Sequence, residues 1–142
     1  MNHGIFWPAV AMVGVTAAVW FRMYFVRIGE MRKRRIHPQK VATSHAAAGV
    51  LEDVATADNF RNLFEVPVLF YAVCCALAVT DSVTSLQLAL AWAFVIARMA
   101  HSFIHVTYNR VMHRFTVYVL GGLIVFAMWA IFAVQLAARG AA

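Results

Sequence analysis

The chain has 142 residues, 63% of them hydrophobic and 13% charged, with a formal net charge of +6 and a mean hydropathy of +0.74. A soluble domain carries about twice that share of charge, and four bilayer spans of roughly 20 residues each would use over half the chain, which excludes a separate soluble domain. The positive charge does not imply nucleic acid as a partner, because the Lys and Arg residues flank or interrupt apolar runs instead of lining a soluble face. The expected fold class is all-α: an integral membrane four-helix bundle, one domain over residues 1–142.

The first apolar run extends from Ile5 to about Val26, with Arg22 and Arg27 placed to snorkel at its end. It lacks a basic leader and is too long for a signal-peptide core, so it is expected to remain as span one. A polar stretch from Arg27 to Asn59 follows, opening with Arg32-Lys33-Arg34-Arg35 and a turn signal at His37-Pro38. Within it, the alanine-rich segment Ser44 to Ala57 reads as a short helix leading into the second span. Span two covers about Phe60 to Thr80, a turn is expected at Thr80-Asp81-Ser82, and Ser82 or Ser85 is the expected cap of the next helix. Span three covers about Leu86 to Val106, and span four about Phe115 to Ala138 after the polar segment Thr107 to Arg114. Cys74 and Cys75 are sequence neighbours on a helix, where side chains diverge, so they do not predict a disulfide.

The loops after spans one and three, with their helix ends, hold every Lys and Arg except Arg98, within span three, and Arg139. The positive-inside rule therefore puts these loops in the cytoplasm and both termini on the non-cytoplasmic side. The short, alanine-rich chain reads as a bacterial inner-membrane protein, with membrane lipids as its surroundings.

Polar residues within the spans hold most of the functional information. Arg61, Asn62 and Glu65 open span two, Arg98, His101 and His105 form a stripe on span three, and Arg114 and Tyr118 are an i, i+4 pair on span four. A charge at mid-bilayer costs about 2.5–3.5 kcal/mol even on the lenient insertion scale, so these groups are expected to face one another around a pocket at the cytoplasmic end. Pro67 lacks an N–H and crowds the carbonyl of Leu63, which predicts a kink in span two beside that pocket. Guanidinium groups favour forked contact with carboxylates or phosphates. The pocket therefore suits a small anionic or zwitterionic ligand, with a lipophilic small molecule arriving from the lipid side.

Simpler readings stand beside this one. Arg22, Arg27 and Arg110 fit interfacial snorkelling, and the Arg32–Arg35 cluster fits a topology and anionic-lipid signal. Arg61 and Glu65 have the spacing of a helix salt bridge, and Arg98 could be a structural partner of Glu65. His101 and His105, at i, i+4, could ligate a metal or haem; Arg98 on the same stripe would repel a cation and no HExxH or cysteine set accompanies them, so no metal site is expected.

The segments DNFRNLFEVP (Asp58 to Pro67) and RMAHSFIHVTYNRVMHRFTVY (Arg98 to Tyr118) resemble the MAPEG superfamily, the membrane-associated proteins of eicosanoid and glutathione metabolism. These include microsomal glutathione transferases, leukotriene C synthase and microsomal prostaglandin E synthase. The resemblance implies glutathione as the bound cofactor, with Arg61, Asn62 and Glu65 at second-span binding positions and His101 matching a span-three histidine of the prostaglandin synthase type. Arg114 matches the arginine beside the glutathione thiol, Tyr118 a tyrosine four residues on, and Arg32, after a turn at Gly29, a first-loop arginine that reaches the ligand. It also implies a homotrimer with sites between subunits, and a glutathione-dependent transferase or peroxidase acting on lipophilic electrophiles. Asp58 stands where several members carry arginine, His105 where tyrosine is common, and Phe115 where some carry serine. These departures motivate the alternative of a non-catalytic relative that binds a lipid or a partner protein.

Overall fold

The computed structural model of the chain describes residues 3–140, all of whose regular structure is helical. Six α-helices occur among them: α1 (Phe6–Lys33), α2 (Ser44–Val50), α3 (Ala55–Asn62), α4 (Val66–Val79), α5 (Ser85–Val106) and α6 (Val111–Gly140). Four units are long and apolar enough to cross a bilayer: α1 with the short 3₁₀ turn before it, α3 with α4 as one broken span, α5, and α6. The second span packs on both α1 and α6, and α5 packs on both α1 and α6, with a further contact between α3 and α5 across the bundle. The polar connections after α1 and after α5 therefore lie at one end of the bundle, and the α4–α5 turn lies at the other.

The core comes from narrow helical stripes. Pro8, Met12, Val19 and Met23 are the buried residues of α1, and Phe70, Val73, Cys74 and Leu77 are among those of α4. Phe70 of α4 stacks on Phe94 of α5, with ring centroids 4.5 Å apart. The opposite faces expose Trp7, Phe25, Val79, Ile96, Leu123 and Val134 among other large apolar residues. In water such a surface would be unfavourable; against lipid tails or another subunit it is the expected exterior. Two side-chain contacts add orientation: buried Gln87 Nε2 donates to the Met128 carbonyl at 3.1 Å, and nearer the surface Trp129 Nε1 donates to the Leu69 carbonyl at 3.1 Å.

Two local expectations are corrected. Gly29 makes no turn, because α1 continues without interruption to Lys33, and a glycine flanked by helix-forming neighbours does not by itself stop a helix. The α5 cap is Thr84, whose hydroxyl accepts from the Gln87 N–H at 3.2 Å; Ser82 is instead held by the Thr80 hydroxyl. The Thr80–Ser82 turn carries Asp81 at a φ of 52°, and Arg139 donates to the Thr80 and Asp81 carbonyls, so it caps α4.

The helical extension of α1 organises the polar segment. Instead of one helix, residues 44–57 form α2, capped by the Thr43 hydroxyl, and then α3 after an extended turn. Glu30 makes that turn: its carboxylate accepts from the Glu52 N–H at 2.7 Å, the Asp53 N–H at 3.5 Å and Arg34 Nη1 at 2.7 Å. Arg34 in turn donates to the Val50 carbonyl at 2.9 Å. Replacing Glu30 with Ala is expected to accelerate amide hydrogen exchange at residues 50–54 at least tenfold while leaving α4, α5 and α6 protected, and equal exchange in variant and wild type would refute this anchoring role.

Candidate functional site

The second span is interrupted inside the apolar zone. Helix α3 ends at Asn62, Leu63 and Phe64 turn back through short bonds to the Phe60 and Arg61 carbonyls, and Glu65 adopts a ψ of −99° before α4 begins. Pro67 is the chemical reason: it has no N–H to close onto the Leu63 carbonyl, yet it fits the first turn of a new helix. The break leaves backbone acceptors at the end of α3 without helical partners. Arg98, entirely buried on α5, donates Nη2 to the Asn62 carbonyl at 2.6 Å. A cation at a helix C-terminus also meets the negative end of the helix dipole.

The other groups assemble around this contact. The Arg98 guanidinium lies 5.5 Å from the Tyr118 ring centroid, and the Tyr118 hydroxyl donates to Glu65 Oε2 at 3.1 Å. His101 packs on Tyr118 at 5.8 Å and on His105 at 5.4 Å between ring centroids. Deeper between α3 and α5, the Ser102 hydroxyl donates to Asn59 Oδ1 at 3.1 Å. Gly121 packs beside the Arg98 stem and the Phe94 ring, where a Cβ would lie at ordinary contact distance, 3.7 Å from each. Spans two, three and four thus each contribute polar groups to one place.

Not every anticipated residue joins the group. Arg61 is exposed and pairs with Asp58 at 3.5 Å, with no ion pair to Glu65; it lines a hollow of about 340 Å³ with Met23, Arg27 and Phe64. Arg98 bonds the Asn62 backbone and not the Glu65 carboxylate, which Tyr118 occupies instead. Arg114 is half-buried, and its Nη1 donates to Asn109 Oδ1 at 2.9 Å, where Asn109 takes a φ of 45° in the α5–α6 connection. Arg32 is exposed on the α1 extension beside Ile28, Arg35 and Pro38, and it is not part of the cluster. Glu65 is exposed on the flank of the bundle, whereas Arg98, His101 and His105 are at most 2% exposed. The site therefore has an inner part enclosed by a single chain and an outer part that faces whatever surrounds it. Among the described residues, no group of His, Cys, Asp and Glu has the arrangement of a metal site.

A family model for the MAPEG family matches residues 5–134. The chain belongs to the MAPEG family. The match reaches into all four spans and includes both segments that form the cluster. No curated protein and no solved structure matches the chain. Within this MAPEG protein, Asn59, Ser102 and Thr56 complete the buried polar surface and were not singled out from sequence. Their signal was available, since Asn59 lies three residues before Asn62 and Ser102 four after Arg98, the spacings that share a helix face.

The Tyr118–Glu65 contact is testable by a double-mutant cycle. Tyr118→Phe and Glu65→Gln are each expected to lower stability in detergent, with a coupling of about 0.6–2 kcal/mol, the range for hydrogen bonds between membrane helices. Strictly additive effects would show that the two groups do not interact.

Proposed function

We propose that this MAPEG protein is a glutathione-dependent transferase or peroxidase that acts on lipophilic electrophiles at the cytoplasmic end of its bundle. The observation that supports it best is the break of span two, which sets Asn62 and Glu65 beside Arg98 and Tyr118 within the apolar zone. Charged groups at such a depth are costly and commonly mark a functional site. Glutathione carries an ammonium group and two carboxylates; Glu65 suits the former, and Arg61 and Arg114 suit the latter or the thiol.

Glutathione supplies a thiol whose ionised form is the nucleophile. Arg114 is the residue proposed to stabilise that negative charge, because a nearby guanidinium favours the ionised form; its bond to Asn109 orients it at the start of α6. Tyr118 holds Glu65 in place, and Arg98 fixes the backbone from which Asn62 and Glu65 project. Glu65 and Arg61 are exposed on the single protomer, which fits a homotrimer in which a neighbouring subunit closes each site and brings Arg32 to it. The lipophilic co-substrate then enters from the bilayer, where it is concentrated.

A non-catalytic relative that binds a lipid or partner protein is the second reading. It is favoured by the Arg61–Asp58 pair, which partly neutralises a guanidinium that would otherwise meet the ligand. The two separate cleanly in the purified protein. The transferase is expected to bind glutathione by calorimetry, to show thiolate absorbance at about 240 nm, and to turn over an aryl halide, with Arg114→Ala lowering the rate at least a hundredfold, about 2.7 kcal/mol of barrier. Binding without thiolate or turnover supports the non-catalytic relative, and failure to bind glutathione at all refutes the proposal. Asp58→Asn is expected to tighten glutathione binding several-fold by freeing Arg61, and an unchanged affinity would remove Arg61 from the site.

A further inference from the structure

The seam between α1 and the second span carries three hollows that succeed one another down the bundle. The first, of about 270 Å³ at the polar end, is lined by Arg27, Ser44, His45, Asp53 and Asp58 among others. The second, of about 340 Å³, shares Arg27 and Ser44 with it and adds Met23 and Phe64. The third, of about 570 Å³, shares Phe64 with the second and continues past Trp20, Ala17 and Val13. From Arg27 to Val13 the helix rises about 21 Å. That is enough to pass from an interfacial headgroup through one leaflet's roughly 15 Å of hydrocarbon. None of these walls includes Glu65, Arg98, Arg114 or Tyr118.

The chemistry of the seam changes along its length. The third hollow is apolar apart from Thr16, Trp20 and Tyr71, and Thr16 turns its hydroxyl to the Met12 carbonyl at 3.0 Å. At the polar end Asp58 pairs with Arg61, which leaves Arg27 and Asp53. Arg27 is half-buried and has neither hydrogen bond nor ion pair among the described residues. Asp53 accepts from the Thr56 N–H and hydroxyl, and no cation among the described residues pairs with its carboxylate. A guanidinium and a carboxylate therefore line one cavity without neutralising each other. A simple anion there would meet Asp53, and a simple cation would meet Arg27. A group with both charges satisfies each: a guanidinium forks onto phosphate oxygens, and a primary ammonium offers three donors to a carboxylate. Glutathione also carries both charges, but it has nothing to set against the apolar hollow that follows.

We propose that this seam holds one membrane phospholipid with a primary-ammonium headgroup, its phosphate at Arg27 and its ammonium at Asp53. One acyl chain lies beside Phe64, Trp20 and Val13, which are exposed along the seam. The lipid is a resident and not a substrate. Arg61, Glu65 and Arg114 stay with the tripeptide, so the site stands whether or not glutathione binds.

Native mass spectrometry tests it on full-length protein taken up in nanodiscs of equimolar phosphatidylethanolamine, phosphatidylglycerol and phosphatidylcholine, then released into detergent. One phosphatidylethanolamine per protomer is expected to stay bound, roughly tenfold over phosphatidylcholine, whose quaternary ammonium has no N–H for Asp53. Arg27→Gln is expected to lower that retention roughly tenfold. Arg110→Gln, which removes a cation at the same end but outside the seam, is expected to leave it unchanged. Asp53→Asn keeps an acceptor for Thr56 and is expected to erase the headgroup preference while phospholipid is still retained. Should Arg27→Gln lose helical circular dichroism, Ala17→Phe, which fills the apolar hollow, is expected to lower retention to the same extent. A preference for phosphatidylglycerol, no preference, or retention unchanged by the folded variant would overturn the site. So would a wild type that retains no phospholipid and whose subunits separate on Ala17→Phe, a result that assigns the seam to a second copy of the chain.

Discussion

A single donated hydrogen bond, from Arg98 to the Asn62 carbonyl, underlies the polar architecture of this bundle. Irregular backbone within a bilayer is tolerated only where its freed groups are satisfied by protein or enclosed water. Pro67 makes the break, and Arg98 makes the break tolerable. The same guanidinium lies over the Tyr118 ring, and its stem packs beside Gly121. Spans two, three and four are therefore registered against one another by one buried cation. Replacing that cation would leave more than a missing charge: it would leave a helix end in an apolar interior without a donor.

The break also divides the polar residues by access. Arg98, His101 and His105 look inward from α5, enclosed by neighbouring helices, while Glu65 and Arg114 lie toward the flank. A MAPEG chain read only as a set of ligand-binding residues merges these two groups. Their burial separates residues open to the surroundings from residues enclosed by the chain itself. Tyr118 joins them, since its ring contacts the inner arginine and its hydroxyl reaches the outer carboxylate.

The polar end is built differently from the span interiors. There, the α1 extension reaches beyond the apolar zone, and Glu30 and Arg34 tie down the turn between α2 and α3 through backbone contacts. Surface ion pairs of this kind contribute modestly to stability, so this cap is expected to be the least stable part of the fold. It also forms the mouth beside Arg61, Asp58 and Arg27.

Four apolar runs of spanning length, a proline within the second, and polar stripes at helical spacing were legible from the chain because each is a local property: hydropathy, a missing N–H, and 100° per residue. On the same basis Arg61, Asn62 and Glu65 fall on one helix, and Glu65 and Arg61 have ion-pair spacing. That pairing fails because the helix ends at Asn62, so the i, i+4 geometry does not survive the break and Arg61 turns to Asp58. The expected turn at Gly29 fails for the converse reason, since the helix continues to where Glu30 and Arg34 find partners in the next segment. Which acceptor Arg98 serves, that Tyr118 rather than an arginine holds Glu65, and that Asn59 and Ser102 line the interior depend on how helices distant in sequence meet. Periodicity assigns a residue to a face, but only packing decides what lies opposite that face, because in a bilayer many helix rotations bury similar apolar area and the polar contacts choose among them.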